Sequence, residues 1–376
     1  MKEFAGSDIL TLYGSPRQRG RIHGETYRTK IQELMDRWKA WLALTIGGST
    51  EQYIQDLVGE TKFIKSIERW TPGLLEEVKG IAEGAGVDFD IIFGFQLQDE
   101  EWWFSQEKKQ AQQSPARNCS SVGWQGSTTI VAQNMDMPDY LDGYQVVLRI
   151  IEPQSEVESL VFSTVGLLAL NGVNNYSIGI VCNNLGQLNH SSQGLPVAYV
   201  HRGILEKKSL SEAKSFLEIV HHASGQNYLL GEPGRIIDLE CSANQVAAYT
   251  QPEQNGRICH TNHPFVNTDF QGIAPGTQPT QGELAAFFDA FNVNSRTRFE
   301  VVYQQICEIV DEKAGPETAK RLLQSHDSST HPVCRHSKPG LPWMTVGTSI
   351  MELDVNPQMH VCPGPPCSSI FSSFSF

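Results

Sequence analysis

The reactive groups in this chain are thiols. Eight cysteines occur: Cys119, Cys182, Cys241, Cys259, Cys307, Cys334, Cys362 and Cys367. They are spread without dense spacing, and the opening MKEFAGSDIL has no apolar run of the secretory kind. Free thiols are therefore expected rather than a disulfide framework. Most buried cysteines behave as small inert hydrophobes, so a working one needs access and a base. Cys119 has a suggestive position. It follows Ser105–Asn118, SQEKKQAQQSPARN, a polar stretch with one Pro that reads as an exposed loop, and it stands just before a run of strands. A thiol there can attack the carbonyl of Asn118, shift the peptide bond to a thioester, and let water release it. Cys119 then becomes an N-terminus, and its α-amine, with a pKa of about 8, can act as base near neutral pH. Position alone also fits a loop cysteine with no role.

Two other groups offer chemistry. His331, Cys334, His336, Cys362 and Cys367 could be drawn as zinc ligands. Cys362 and Cys367 flank Pro363-Gly364-Pro365-Pro366, which is not the spacing of a usual zinc knuckle, so a rigid turn and no metal are expected. His23 lies in a Gly-x-x-His-Gly-Glu stretch at a helix start. The α-amine route has no need of it. It reads as a hydrogen-bonding residue that holds the first helix, with Arg19 and Gly20 serving packing.

These groups must be positioned by regular elements. Helical spacing of Tyr27, Ile31, Leu34, Trp38 and Trp41 predicts a helix over Glu25–Leu44. Further helices follow around Tyr53–Leu57 and Phe63–Ile67, after Thr71-Pro72, and around Phe89–Trp103. Beyond the polar stretch the pattern changes to β. Strands are predicted at Thr128–Asp136, Gln145–Ile151, Ser159–Val165 and Tyr176–Asn183. Helices at Val197–Lys207 and Leu210–His221 precede strands at Gln226–Leu230, Arg235–Glu240, Gln245–Tyr249 and Gly256–Thr261. Helices at Ser295–Val310 and Pro316–Leu323 and strands at Thr345–Leu353 and Gln358–Cys362 complete the list. Runs of strands between runs of helices predict an α+β fold of two packed antiparallel sheets with helices outside, not alternating βαβ units.

The formal net charge of −13 argues against nucleic acid as a partner, since phosphate binding needs clustered Lys and Arg. No run of 18 apolar residues suggests a membrane span, so the cytosol is the expected location. No Walker, Rossmann or EF-hand pattern is present.

Several short motifs occur in order: Gly14-Ser15-Pro16-Arg17-Gln18-Arg19-Gly20-Arg21-Ile22-His23-Gly24-Glu25, Asn118-Cys119-Ser120-Ser121, and Ala132-Gln133-Asn134-Met135-Asp136-Met137. Asn171-Gly172-Val173-Asn174, Gly179 and Asn183-Asn184-Leu185 follow. Then come His260-Thr261-Asn262-His263-Pro264-Phe265, Ser295-Arg296-Thr297-Arg298, and Pro363–Cys367. Their order and spacing, across Gly14 to Cys367, resembles the isopenicillin N acyltransferase family, the acyl-coenzyme A:6-aminopenicillanate acyltransferases. The resemblance implies a four-layer αββα sandwich of the N-terminal-nucleophile hydrolase type and self-cleavage before Cys119. Residues 1–118 would form an α chain and 119–376 a β chain, together one domain and a self-derived heterodimer.

By the same resemblance Cys119 is the nucleophile and Asn262 the side-chain oxyanion donor. Asp136 orients the new amine, and Arg296 is its partner. Asp136 with Arg296 could instead be an architectural ion pair, and Asn262 a turn residue. The substrate would be a small N-acyl amide or peptide-like conjugate, with acyl-CoA as a further co-substrate and no other cofactor. One departure is visible: the penicillin-forming members carry glycine before the nucleophile, where this chain has Asn118. The competing readings are an uncleaved cysteine hydrolase using His23 or His263, and an inactive binding protein.

Overall fold

The computed structural model describes residues 9–46, 48–108, 118–251, 256–272, 281–309 and 314–376. Its helices are α1 (Pro16–Thr26), α2 (Arg28–Ile46), α3 (Thr50–Glu60), α4 (Phe63–Trp70), α5 (Pro72–Ala85), α6 (Phe89–Gln96) and α7 (Gln98–Glu107) in the first part. The second part holds α8 (Val197–Leu205), α9 (Leu210–Ile219), α10 (Gln281–Cys307) and α11 (Pro316–Leu323). The strands are β1 (Leu10–Tyr13), β2 (Asn118–Trp124), β3 (Thr129–Pro138), β4 (Gln145–Ile151), β5 (Glu158–Thr164), β6 (Asn171–Asn174) and β7 (Gly179–Asn184). They continue as β8 (Gln226–Glu232), β9 (Arg235–Cys241), β10 (Val246–Tyr249), β11 (Arg257–His260), β12 (Trp343–Leu353), β13 (Gln358–Pro363) and β14 (Ser372–Ser375).

Two sheets form. One runs β1-β4-β5-β6-β7-β8-β9-β10 and the other β11-β2-β3-β12-β13-β14. All pairings are antiparallel except β1 with β4. The sheets lie face to face, with β2 and β3 against β7 and β8, and β12 against β6. Close approach is arranged by small residues opposite large ones: a Cβ on Gly347 would fall 2.4 Å from the Phe162 ring, where no side chain fits. Helices α8 and α9 cover the first sheet, while α10 and α11 cover the second. The fold is thus α+β and four-layered, αββα, as expected.

Two apolar cores follow from the layers. One lies between the second sheet and its helices, joining Val122, Trp124, Ile130 and Ile350 to Val302, Ile306, Leu322 and Leu323. The larger one fills the space between the sheets and runs on into α2, α5 and α6 of the first part. Residues 1–118 also supply β1, so the two parts share both a sheet edge and a core. Among the described residues no helix is long and apolar enough to cross a membrane.

Most predicted elements appear within a few residues of their expected bounds. The differences have physical causes. The helix predicted over Glu25–Leu44 begins earlier as a separate α1, started by Pro16 behind the cap Ser15, whose backbone N–H meets Gln18. Residues Ser105–Glu107 of the polar stretch continue α7, and 109–117 lie outside the described residues. Cys119 is inside the strand β2, not before it. Its neighbours are too polar to show an alternating pattern, yet both sheet faces there are covered.

Gly20 and Arg19 serve packing, as read. A Cβ at Gly20 would lie 1.9 Å from the Glu77 carbonyl oxygen, so the glycine lets α1 and α5 touch backbone to backbone. Arg19 reaches Glu77 at 3.1 Å and donates to the Gly14 carbonyl at 2.8 Å. His23 is buried and its Nε2 accepts the Gly166 amide at 3.0 Å. Burial pushes its pKa down to about 4, so it is neutral and tied to the sheet.

Candidate active site

Strand pairing brings the site together. In the β2–β3 register Asn118 lies opposite Asp136 and Cys119 opposite Met135. On the other side of β2, Ser121 lies opposite His260, the last residue of β11, and Asn262 follows two residues on. On the other side of β3, Thr345 of β12 lies opposite Asp136, and a register shift between Thr345 and Gly347 bends the strand at that point. Bulges commonly re-aim a side chain, and here the Thr345 hydroxyl donates to Asp136 Oδ1 at 2.7 Å.

Cys119 lines a small pocket. Asp136, Asp99, Asn184, Met137 and Leu170 share its walls. The thiol is half-buried, and burial pushes its pKa up to about 12, with the nearby Asp136 carboxylate adding to the rise. Such a thiol stays protonated at neutral pH until a base takes its proton. Asp136 is itself buried, and that burial raises its pKa to about 6 against the pull of Arg335 and Arg298.

The arginine that meets Cys119 is Arg298, not Arg296. Arg298 is fully buried and spends all five N–H groups on the site. Nη1 donates to the Cys119 carbonyl and, at 2.8 Å, to Ser120 Oγ. Nη2 donates to Asn262 Oδ1 at 2.8 Å and to Asn118 Oδ1 at 3.2 Å. Nε donates to Asn294 Oδ1 at 2.8 Å. Burial brings the guanidinium down to about 10, which still leaves it charged. Arg296 is exposed, and its charge bears on His263. Residues two positions apart on a helix point about 200° from one another, so both cannot face the sheet. A usable signal existed: Ser295, Arg298, Val302, Ile306 and Ile309 form one buried stripe, and its apolar members alone point to Arg298.

The arginine paired with Asp136 is Arg335, whose Nη1 lies 3.9 Å from Oδ2. The Arg335 backbone is held by Thr345 in both directions: its N–H donates to the Thr345 hydroxyl at 2.9 Å, and its carbonyl accepts the Thr345 amide at 3.1 Å. The sequence reading gave neither residue a role in the site, and Arg335 comes from a segment without helix or strand.

Asn262 lies beside Cys119, and its amide is oriented by its partners. Oδ1 accepts the Cys119 N–H at 2.7 Å as well as Arg298, and Nδ2 donates to the Asn184 carbonyl at 3.0 Å. Its own N–H donates to Ser295 Oγ at 2.7 Å. The loop beyond it wraps a buried carboxylate: Glu240 accepts from the amides of Phe265, Val266 and Asn267 at 2.6 to 2.9 Å, and from His260 at 2.9 Å. Burial alone would raise the Glu240 pKa, but these donors hold it below the usual carboxylate range. His260 faces acceptors with both ring nitrogens, Glu240 and the Thr261 carbonyl, which only the protonated ring satisfies. Glu240 is thus a positioning residue for Asn262 that the sequence reading did not find.

His263, the other candidate base, contacts Ser295 Oγ at 2.8 Å. Burial lowers its pKa to about 3, which makes it a poor proton acceptor. Asn118 occupies extended strand backbone. Among the described residues Ser177 is the non-glycine with positive φ, so the position before Cys119 makes no demand for glycine.

Residues 124–348 match the family described as acyl-coenzyme A:6-aminopenicillanic acid acyl-transferase. The 40 kDa form of the acyl-coenzyme A:6-aminopenicillanic-acid-acyltransferase from Emericella nidulans is 25% identical over 262 residues, which are 69% of this chain and 70% of that protein. Among solved structures, a conjugated bile acid hydrolase from Clostridium perfringens is similar over 69% of this chain and 97% of its own, at 12% identity and a TM-score of 0.44. A penicillin V acylase from Agrobacterium tumefaciens is similar over 69% of this chain and 86% of its own, at 13% identity and a TM-score of 0.40. With well over half of its length matched, the chain belongs to the acyl-coenzyme A:6-aminopenicillanic acid acyl-transferase family.

Proposed function

We propose that the chain cuts itself between Asn118 and Cys119 and then works as a cysteine amidohydrolase or N-acyltransferase on a small N-acyl amide. The observation that carries this is the convergence on Cys119. Its thiol faces a pocket, its N–H meets Asn262, its carbonyl meets Arg298, and Asp136 stands beside it. Arg335 stands by Asp136 where Arg296 was expected, and Arg298 holds the Cys119 backbone.

In the first step Asp136 accepts the thiol proton and the sulfur adds to the Asn118 carbonyl carbon. The C–N bond breaks, the Cys119 nitrogen takes up the proton, and Asn118 is held as a thioester. Water then releases it as a carboxylic acid and returns the thiol. Because this happens once per molecule, a weak base suffices. The product has a free α-amine at Cys119, held by Asn262 Oδ1 where the amide N–H now lies.

In the working cycle that amine takes the thiol proton and the sulfur attacks the acyl carbon of the substrate. The leaving amine departs with the proton, and water or a second amine then receives the acyl group from sulfur. For Asn262 to donate to the oxyanion as well, its Nδ2 must turn from the Asn184 carbonyl toward the substrate oxygen. A donor so placed contributes about 3 kcal/mol to the transition state. Met137 and Leu170 offer apolar contact to an acyl group. The cytosol is the proposed location, acyl-CoA a proposed acyl donor, and an α/β heterodimer of 1–118 with 119–376 the proposed working form.

Denaturing mass spectrometry tests the reading. The expected result is two fragments ending and starting at Asn118 and Cys119, with Cys119→Ala a single chain and unable to release amine from N-acyl amides. A wild-type chain that stays whole overturns self-cleavage. Amine release that survives Cys119→Ala overturns the nucleophile.

A further inference from the structure

Away from the pocket, His326, Cys334, His336 and Cys367 bring one ligand atom each to within 4.8 Å of one another. Cys334 and Cys367 place their sulfurs 3.5 Å apart, and His336 Nε2 lies 3.1 Å from the Cys367 sulfur. The rings of His326 and His336 are stacked at 5.6 Å. We infer that these four residues form a tetrahedral zinc site.

The spacing carries the argument. With Zn–S near 2.3 Å and Zn–N near 2.0 Å, tetrahedral edges are about 3.8 Å between sulfurs and about 3.5 Å between sulfur and nitrogen. The observed separations fall close to those edges, and the two sulfurs are far beyond the S–S bond length of about 2.05 Å. Two thiolates and two imidazoles are the donor set that selects zinc over hard cations. Four protein ligands close the coordination shell, which marks a structural ion and not a catalytic one.

Zinc was set aside on spacing because Cys362 and Cys367 stood as neighbours. The structure chooses other partners. Cys362 is buried with its sulfur toward the Gly364 carbonyl, and His331 turns to Asn294. The four ligands come from two segments separated in sequence by the β12–β13 hairpin. The turn Pro363–Pro366 now has a use: it carries Cys367 back to the segment that holds Cys334 and His336.

The site also has a position in the mechanism. Arg335 lies between two ligands, and while Cys334 and His336 face Cys367, Arg335 faces Asp136. A bound ion would fix the short segment that delivers this arginine.

Metal analysis of tag-free, full-length protein tests the site. After equilibration with zinc and gel filtration, about one zinc per chain is expected. Cys334→Ser and Cys367→Ser should each weaken zinc binding by more than about 100-fold, since even outer-shell changes cost up to that much. Cys362→Ser and His331→Ala should retain the ion. If a ligand variant misfolds, the wild-type protein reconstituted with Co²⁺ still decides. Thiolate-to-cobalt charge transfer and the intense visible bands of a tetrahedral ion are expected. No retained zinc, a six-coordinate cobalt spectrum, full retention in the Cys334→Ser/Cys367→Ser double variant, or a Cys334–Cys367 disulfide in the purified chain would each overturn the inference.

Discussion

Two buried carboxylates in this fold are each flanked by two arginines, and they behave in opposite ways. Glu77 on α5 is held by Arg19 at 3.1 Å and by Arg202 at 2.6 Å, with all three side chains almost fully buried. Burial alone would raise its pKa, but the two guanidinium groups outweigh it and hold it below the usual range. Asp136 on β3 is equally buried, yet its nearest arginine stands 3.9 Å away, and its pKa is pushed up to about 6. The first group has both oxygens committed to short charged hydrogen bonds. The second keeps one oxygen beyond hydrogen-bonding reach of its partner. A carboxylate that is fully satisfied holds helices together; one that is left short can exchange protons with a neighbour.

Neutralising each group should separate these roles. Glu77→Gln leaves two buried guanidinium groups without their counter-charge and should cost about 3–5 kcal/mol, read from denaturant unfolding. Self-cleavage should persist in whatever fraction stays folded. Asp136→Asn should cost less stability than Glu77→Gln, because its charge is already poorly compensated, but should slow cleavage by more than about 100-fold. Equal losses of stability with cleavage intact in both variants would erase the distinction.

The same contrast was only partly legible in the sequence. Apolar runs bounded by Gly, Pro and Asn located most strands, and Gln145–Ile151 and Pro316–Leu323 fall on their predicted bounds. The four-residue strands Leu10–Tyr13 and Asn171–Asn174 were missed, since they exist through pairing with β4 and β5 and not through their own pattern. Cys119, Asp136 and Asn262 stand in ordered motifs, and the fold brings them together. Arg296, expected beside Asp136, lies on the exposed side of α10, while Arg298 on the buried stripe reaches Cys119 and Arg335 reaches Asp136. Arg335, Thr345 and Glu240 had no local signal. Each acts through a contact between distant segments, and such contacts depend on how the sheets stack.

Titration offers a second way to sharpen the comparison. The Asp136 pKa in the fold lies above its ordinary value of 3.8, so the folded state binds the extra proton between roughly pH 4 and pH 6. Its burial penalty is absent below that window, grows through it, and is complete above about pH 6. Glu77 has the reverse sign: its contribution is full above its ordinary 4.5 and is lost as pH falls through its lowered folded value. The proposed self-cleavage draws on the Asp136 carboxylate, so its rate should rise with pH through about 6. A cleavage rate flat from pH 5 to pH 7 would remove Asp136 from the proton path.

The smallest expected effects concern the helices that carry the structural carboxylate. Gly20 faces the Glu77 carbonyl with no room for a Cβ, whereas Gly59 on α3 has open space around it. Gly20→Ala must push α1 from α5 and draw Arg19 away from Glu77, at a cost of about 1–3 kcal/mol. Gly59→Ala replaces a glycine in the last turn of α3 without a clash and should stabilise by about 0.4–1 kcal/mol. Neither change touches the pocket, so cleavage at Asn118 should proceed at the wild-type rate in both once they are folded. If Gly20→Ala left stability unchanged but slowed cleavage, the Arg19–Glu77–Arg202 cluster would have to be counted with the Cys119 site and not set against it.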